Sequence, residues 1–203
     1  MIYVIGDSHT QAFDDNFTKI WLTAPTAYQN IKKIPEIDGK LSTYKIDKNN
    51  DYLFFVFGEI DVRCHLGFIA DNNGRTYEDV INECVNRYIV FLEHYINNGY
   101  KVGVWGAIPS GPDNGVQGNG SPSYKTKDER NILTKMFNDK LKKMCEEKNI
   151  LFKSIFDLIM SDYENYNSYH ANDKIHLNAG MFRTHTNDKN CEELVKNLFN
   201  DLL

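Results

Sequence analysis

Two short stretches near opposite ends of the chain carry residue types that can do chemistry together. Gly6-Asp7-Ser8 follows the apolar run Ile2-Tyr3-Val4-Ile5, and Asp173-Lys174-Ile175-His176 stands near the carboxyl end. A serine hydroxyl is a weak nucleophile at neutral pH. It needs a base to take its proton, commonly a histidine oriented by a carboxylate. Asp173 precedes His176 by three residues, close enough in a turn to accept from the imidazole and fix its tautomer. A serine in a tight strand-to-helix turn sits at a helix amino terminus, where unpaired N–H groups favour the negative charge that attack on a carbonyl creates. Each stretch alone has a plainer reading, Ser8 as a helix cap and Asp173 with His176 as a surface loop pair. Their joint occurrence favours a serine-histidine-aspartate site.

A third polar stretch, Gly58-Glu59-Ile60-Asp61-Val62-Arg63, follows another apolar run. In an open parallel sheet, ligands bind beyond the carboxyl ends of the strands, which would gather this stretch and Gly6-Asp7-Ser8 at one edge. Four scattered cysteines, Cys64, Cys84, Cys145 and Cys191, form no CxxC pair. No zinc or redox site, and no cofactor, is expected.

Taken together, Ile5-Gly6-Asp7-Ser8 and Asp173-Lys174-Ile175-His176-Leu177-Asn178 resemble the first and last blocks of the SGNH (GDSL-type) hydrolase superfamily. The resemblance spans nearly the whole chain and implies one flavodoxin-like domain over 1–203, with Ser8 as nucleophile, His176 as general base and Asp173 as its orienter. It departs in the middle. The third block of the family is Gly-x-Asn-Asp, whose asparagine donates to the oxyanion, whereas here Gly58-Glu59-Ile60-Asp61 puts Ile60, which has no donor, at that place. The second block supplies a glycine N–H, and Thr23-Ala24-Pro25 offers only Ala24. Losing one oxyanion donor costs about two to three orders of magnitude in rate. Arg63, with five fixed donors and Glu59 to steady it, is the candidate replacement. An equally simple reading makes Glu59 or Asp61 and Arg63 a structural brace. The expected oxyanion and substrate set is therefore Ser8, Ala24, Gly58, Glu59, Asp61 and Arg63. The Gly-Glu-Ile-Asp-x-Arg variant resembles glycan-associated SGNH-like proteins, which implies a carbohydrate acyl ester rather than a lipid.

The elements that must position these residues follow from patterning. Apolar runs at 2–5, 20–22, 52–57, 101–105 and 150–152 do not alternate, as befits strands of a parallel sheet buried on both faces. Helical periodicity links Tyr77, Val80, Ile81, Cys84, Val85, Tyr88 and Leu92, ending at Asn98-Gly99. It recurs from Ile132 to Cys145 and from Cys191 to Leu202. The expectation is a three-layer α/β/α sandwich, flavodoxin-like, with about five parallel strands. Two irregular stretches stand out. Residues 108–126, rich in glycine and proline, read as a long loop that would either cover substrate or be disordered, and residues 163–174 would line the same mouth.

Composition bounds the rest. A length of 203 residues fits one core. With 23 basic against 28 acidic residues and a net charge of −5, there is no excess positive field for a phosphate backbone, so no nucleic-acid partner is expected. No run approaches the roughly twenty apolar residues of a membrane span. The amino terminus shows no secretory pattern, and buried reduced thiols would suit the cytoplasm. The sequence says nothing about oligomeric state. The expected activity is hydrolysis of a small acyl ester through an acyl-enzyme, with an O-acetylated sugar as the leading substrate. An O-acyltransferase and a non-catalytic glycan-binding module are the alternatives.

Overall fold

The computed structural model describes residues 1–203 except 24, 112, 114–122, 172, 174 and 183–190. Five parallel strands form its sheet: β1 (Ile2–Gly6), β2 (Thr18–Trp21), β3 (Tyr52–Val56), β4 (Lys101–Trp105) and β5 (Leu151–Lys153), in the order β2-β1-β3-β4-β5. Strand β1 lies between β2 and β3, with Tyr3 opposite Thr18 on one side and Leu53 on the other. The carboxyl ends of β1 and β3 therefore adjoin, which places Gly6-Asp7-Ser8 beside Gly58-Glu59.

Successive strand residues face opposite sides, and here both sides are buried. Tyr3, Ile5, Leu53, Phe55, Val102 and Val104 face one core. That core is covered by α1 (Ile34–Leu41), α2 (Leu66–Asn73), α3 (Tyr77–Asn97) and α4 (Lys127–Glu147). Ile2, Val4, Phe54, Val56 and Trp105 face the second core, under α5 (Phe156–Ser161) and α6 (Cys191–Asn197). The result is the three-layer α/β/α fold.

Local chemistry sets the ends of the long helices. The Thr126 hydroxyl accepts from Glu129 N while Glu129 accepts from Thr126 N, a capping box that starts α4. Thr76 caps α3, its hydroxyl accepting from Asp79 N. Gly99, at φ +84°, lets the chain turn out of α3 straight into β4.

Several expectations need adjustment. Strand β2 covers 18–21 rather than 20–22, β3 covers 52–56 rather than 52–57, and β5 covers 151–153 rather than 150–152. The last helical stripe ends at Asn197, with turns carrying Phe199 and Leu202 onward. Residues Tyr163–Tyr169, expected to be irregular, form a 3-10 helix with Tyr166 and Tyr169 buried. Much of the expected loop at 108–126 lies outside the described residues. Its start does not: Ser110 N donates to Asn131 Oδ1, and Arg130 Nη2 donates to Gly111 O, both from α4.

An aromatic cluster ties the two ends of the chain together. Phe199 meets Phe13 and Phe17 edge-on at 5.7 and 5.2 Å, and Phe54 at 4.8 Å. Such pairs contribute about 0.5–1.5 kcal/mol each beyond area burial. They hold the turn after β1 against the carboxyl-terminal segment, the two regions that carry Ser8 and His176.

Candidate active site

The chain leaves β1 through Asp7, whose extended backbone (φ −78°, ψ −160°) opens a 3-10 turn over Ser8–Ala12. Asp7, not Ser8, is the cap: its Oδ1 accepts from His9 N at 2.8 Å. The Ser8 side chain is thereby released from local duty. Its hydroxyl donates instead to His176 Nε2, 2.6 Å away and 168 residues along the chain.

His176 rides on a segment closed like a hairpin. Ala171 N donates to His176 O and Asn178 N to Tyr169 O, both at 2.8 Å, around a bridge between His170 and Leu177. Within this bend Asp173 Oδ2 accepts from His176 Nδ1 at 2.6 Å. Asp173 Oδ1 accepts from the N–H groups of Ile175 and His176 at 3.0 and 3.1 Å. Burial alone would raise the Asp173 carboxyl. The His176 ring and the two backbone donors outweigh it and hold the group well below the usual carboxylate range. Ionised Asp173 fixes the tautomer in which Nδ1 carries the proton and Nε2 is free to take one.

The third stretch is arranged differently. Gly58 has φ +114°, and a Cβ there would meet the Phe137 ring of α4 at 2.7 Å, so backbone and packing both require glycine. Glu59 and Arg63 are buried together, with Arg63 Nε donating to Glu59 Oε1 at 2.5 Å and Nη2 to Oε2 at 3.3 Å. Asp61 is fully buried and turns to the segment after β2, accepting from Ala27 N at 2.6 Å and Tyr28 N at 3.1 Å. Burial pushes Asp61 up to about 7 despite these donors. Ile60 begins the π-turn Asp61–His65 and makes no side-chain cap bond. Ala24 and Lys174 lie outside the described residues, as does His185.

Ser8, Asp173 and His176 are thus in one hydrogen-bonded line, and Glu59 with Arg63 forms a pair near the same sheet edge. Two further aromatic rings meet His176 that sequence reasoning did not assign. Phe182 stacks on the imidazole, and His9 packs against it. His9 is buried, and its Nδ1 bonds Asp7 Oδ1 at 2.9 Å. Burial disfavours its cation, but the Asp7 charge and hydrogen bond prevail and raise it to about 9. Only the position of His9 beside Ser8 hinted at this contact; nothing in the sequence pointed to Phe182. His65 is exposed, and His170 is buried against the carbonyls of Tyr166 and Pro109. Among the described residues no cluster of three or more His, Cys, Asp or Glu could hold a metal ion. No described helix is long and apolar enough to cross a membrane.

No family model and no curated protein matches the chain. Solved structures do match, and GDSL-like lipases, acylhydrolases and esterases are among them. A GDSL-like lipase from Bacteroides thetaiotaomicron VPI-5482 is 17% identical with a TM-score of 0.62, covering 100% of this chain and 88% of that one. A carbohydrate acetylesterase from Sinorhizobium meliloti is 12% identical (TM-score 0.58, 100% and 99% covered). An acetyl xylan esterase is 13% identical (TM-score 0.57, 100% of both chains covered). At these identities the likeness establishes the fold, the three-layer sandwich that GDSL-type hydrolases share.

Proposed function

We propose that this chain is a serine esterase of the SGNH kind. It would act as one domain over 1–203 and remove a small acyl group, foremost an O-acetyl group, from a carbohydrate. The observation that carries the reading is the unbroken line from Ser8 Oγ through the His176 ring to Asp173, with both hydrogen bonds at 2.6 Å. The acetylated-sugar substrate draws support from two matched structures, an acetyl xylan esterase and a carbohydrate acetylesterase. Four free, buried thiols suit a cytoplasmic protein.

In this mechanism Ser8 Oγ attacks the acyl carbonyl carbon as its proton passes to His176 Nε2. Asp173 stabilises the imidazolium that forms. The tetrahedral intermediate collapses when His176 returns the proton to the departing sugar oxygen, leaving an acyl-Ser8 ester. Water then attacks that ester, giving its proton to the same Nε2, and Ser8 leaves as the restored hydroxyl with the acid as product. The Ser8 N–H is the first oxyanion donor and Arg63, held by Glu59, the second, in place of the absent asparagine. Gly58 and Asp61 shape the loops around them. With an acceptor hydroxyl in place of water, the same intermediate would make an O-acyltransferase.

One observation favours a second reading, a glycan-binding module without catalysis: Ile60 has no group that can donate to an oxyanion. A fluorophosphonate probe separates the two. Wild type is expected to be labelled stoichiometrically and Ser8→Ala not at all; absence of label on folded wild type, under conditions that label a control esterase, would support the binding module.

A further inference from the structure

His176 must keep its aim through a cycle in which one of its two hydrogen bonds disappears. Before attack, Ser8 Oγ and Asp173 grip Nε2 and Nδ1. Once Ser8 is acylated it has no proton to donate, and only the Asp173 bond still orients the ring. A terminal sp³–sp² torsion such as the histidine χ2 is broad. Something else must hold the plane of the imidazole while water enters.

Two rings are in place to do so. The Phe182 ring lies parallel to the His176 imidazole, 3° between planes and 3.7 Å between centroids. A face covered this closely has no room for another ring, so His9, at 4.7 Å and 35°, bears on His176 from elsewhere. His9 is itself anchored: Asp7 Oδ1 accepts from both its Nδ1 and its backbone N–H. Asp7 in turn is fixed at the end of β1, where its carbonyl accepts from the backbone N–H and hydroxyl of Thr10.

We propose that His9 and Phe182 form a two-ring cradle that holds the His176 imidazole in plane after Ser8 is acylated, so that both are positioning residues for deacylation. The proposal rests on the esterase reading for its kinetic consequence, but not for its geometry. While the Ser8 bond exists the ring has two anchors, and acylation tolerates loss of the cradle. Deacylation does not.

The kinetic test uses p-nitrophenyl acetate with Phe182→Ala, and His9→Asn, whose amide can still reach Asp7. Misplacing a catalytic group by about 1 Å costs up to about a hundredfold, so partial loosening is expected to lower kcat about tenfold. Because only the second half-reaction slows, KM should fall in proportion, kcat/KM should stay within about twofold, and a burst of p-nitrophenolate near one equivalent should appear. Phe182→Tyr, which keeps the ring, should restore kcat. An unchanged kcat, or a fall in kcat/KM as large as that in kcat, would overturn the proposal. A second measurement needs no activity. In Ser8→Ala, the downfield His176 Nδ1–H resonance shared with Asp173 should stay sharp, and adding Phe182→Ala should broaden it. A resonance that stays sharp in the double variant sinks the cradle. Broadening in the double variant, together with a folded wild type that fluorophosphonate never labels, would leave the cradle standing and remove the esterase reading.

Discussion

Ser8, His176 and Asp173 bond one another across the chain, with the Ser8 hydroxyl released because Asp7 caps the turn. Glu59, Arg63 and Asp61 stand at the same sheet edge but bond inward. Glu59 and Arg63 hold each other, and Asp61 holds the segment after β2. Both groups are polar, and Ser8 and Glu59 follow neighbouring strands, yet only the first leaves a hydroxyl facing an imidazole nitrogen. The lesson is that proton transfer needs side chains paired with each other at a mouth. A buried ion pair and a backbone-bonded carboxylate serve the scaffold whatever else they do. An oxyanion role for Arg63 must coexist with its bracing of Glu59.

The largest break in that comparison comes from Arg63→Ala. Removing one partner of a buried ion pair leaves the other charge uncompensated, typically a loss of about 3–5 kcal/mol. Chemical denaturation should show a loss of that size. The informative quantity is turnover measured on the protein that remains folded. A further drop of about a hundredfold fits a donor to the oxyanion. Turnover near wild type per folded molecule makes Arg63 a brace alone.

The line of Ser8, His176 and Asp173 was legible through the joint occurrence of two stretches and their resemblance to two family blocks, since each stretch alone reads as a helix cap or a surface loop pair. Only the Asp173–His176 contact is local, within one bend; the Ser8–His176 bond spans 168 residues. The sheet was equally readable, since five apolar runs between helical stripes leave little choice but strands covered on both faces. What escaped was set by tertiary contact. Helices α1 and α5 span eight and six residues, too short for a stripe to stand out, and α1 carries Pro35 and Gly39. The Glu59–Arg63 pair was among the expected contacts, but that Asp61 turns to Ala27 and Tyr28 rather than to Arg63 goes with the π-turn at Asp61–His65, which no spacing rule anticipates. Phe182 stacks on His176 only because the segment around Tyr169 and Asn178 folds back on itself.

A smaller effect comes from Asp61. Its folded-state value of about 7 lies above the ordinary 3.8, so the folded protein holds this proton more tightly than the unfolded chain. Its contribution to stability is therefore full below about pH 4 and is lost as pH rises through about 7. Asp61→Asn should flatten that part of the pH–stability curve, which urea unfolding at pH 5 and pH 8 would reveal. The variant should compare worse with wild type at pH 5 than at pH 8. A constant difference between variant and wild type would show that Asp61 is already ionised and held by the N–H groups of Ala27 and Tyr28.

The smallest expected effect sharpens the comparison most, because it asks whether the charge-holding half can be rebuilt. Residue 60 has helical backbone geometry (φ −61°, ψ −38°), is partly buried and makes no cap bond, so asparagine fits there at a propensity cost of a few tenths of a kcal/mol. An oxyanion donor contributes about a hundredfold or more when its geometry has been refined. A donor placed in a site built around isoleucine should recover only part of this, about a tenfold rise in kcat on p-nitrophenyl acetate with little change in melting temperature. Such a rise would mean that residue 60 faces the developing charge and that wild type works with a depleted oxyanion site. If Ile60→Asn folds normally and gains nothing, the donor position lies elsewhere. The case for Arg63 would then rest on its own variant.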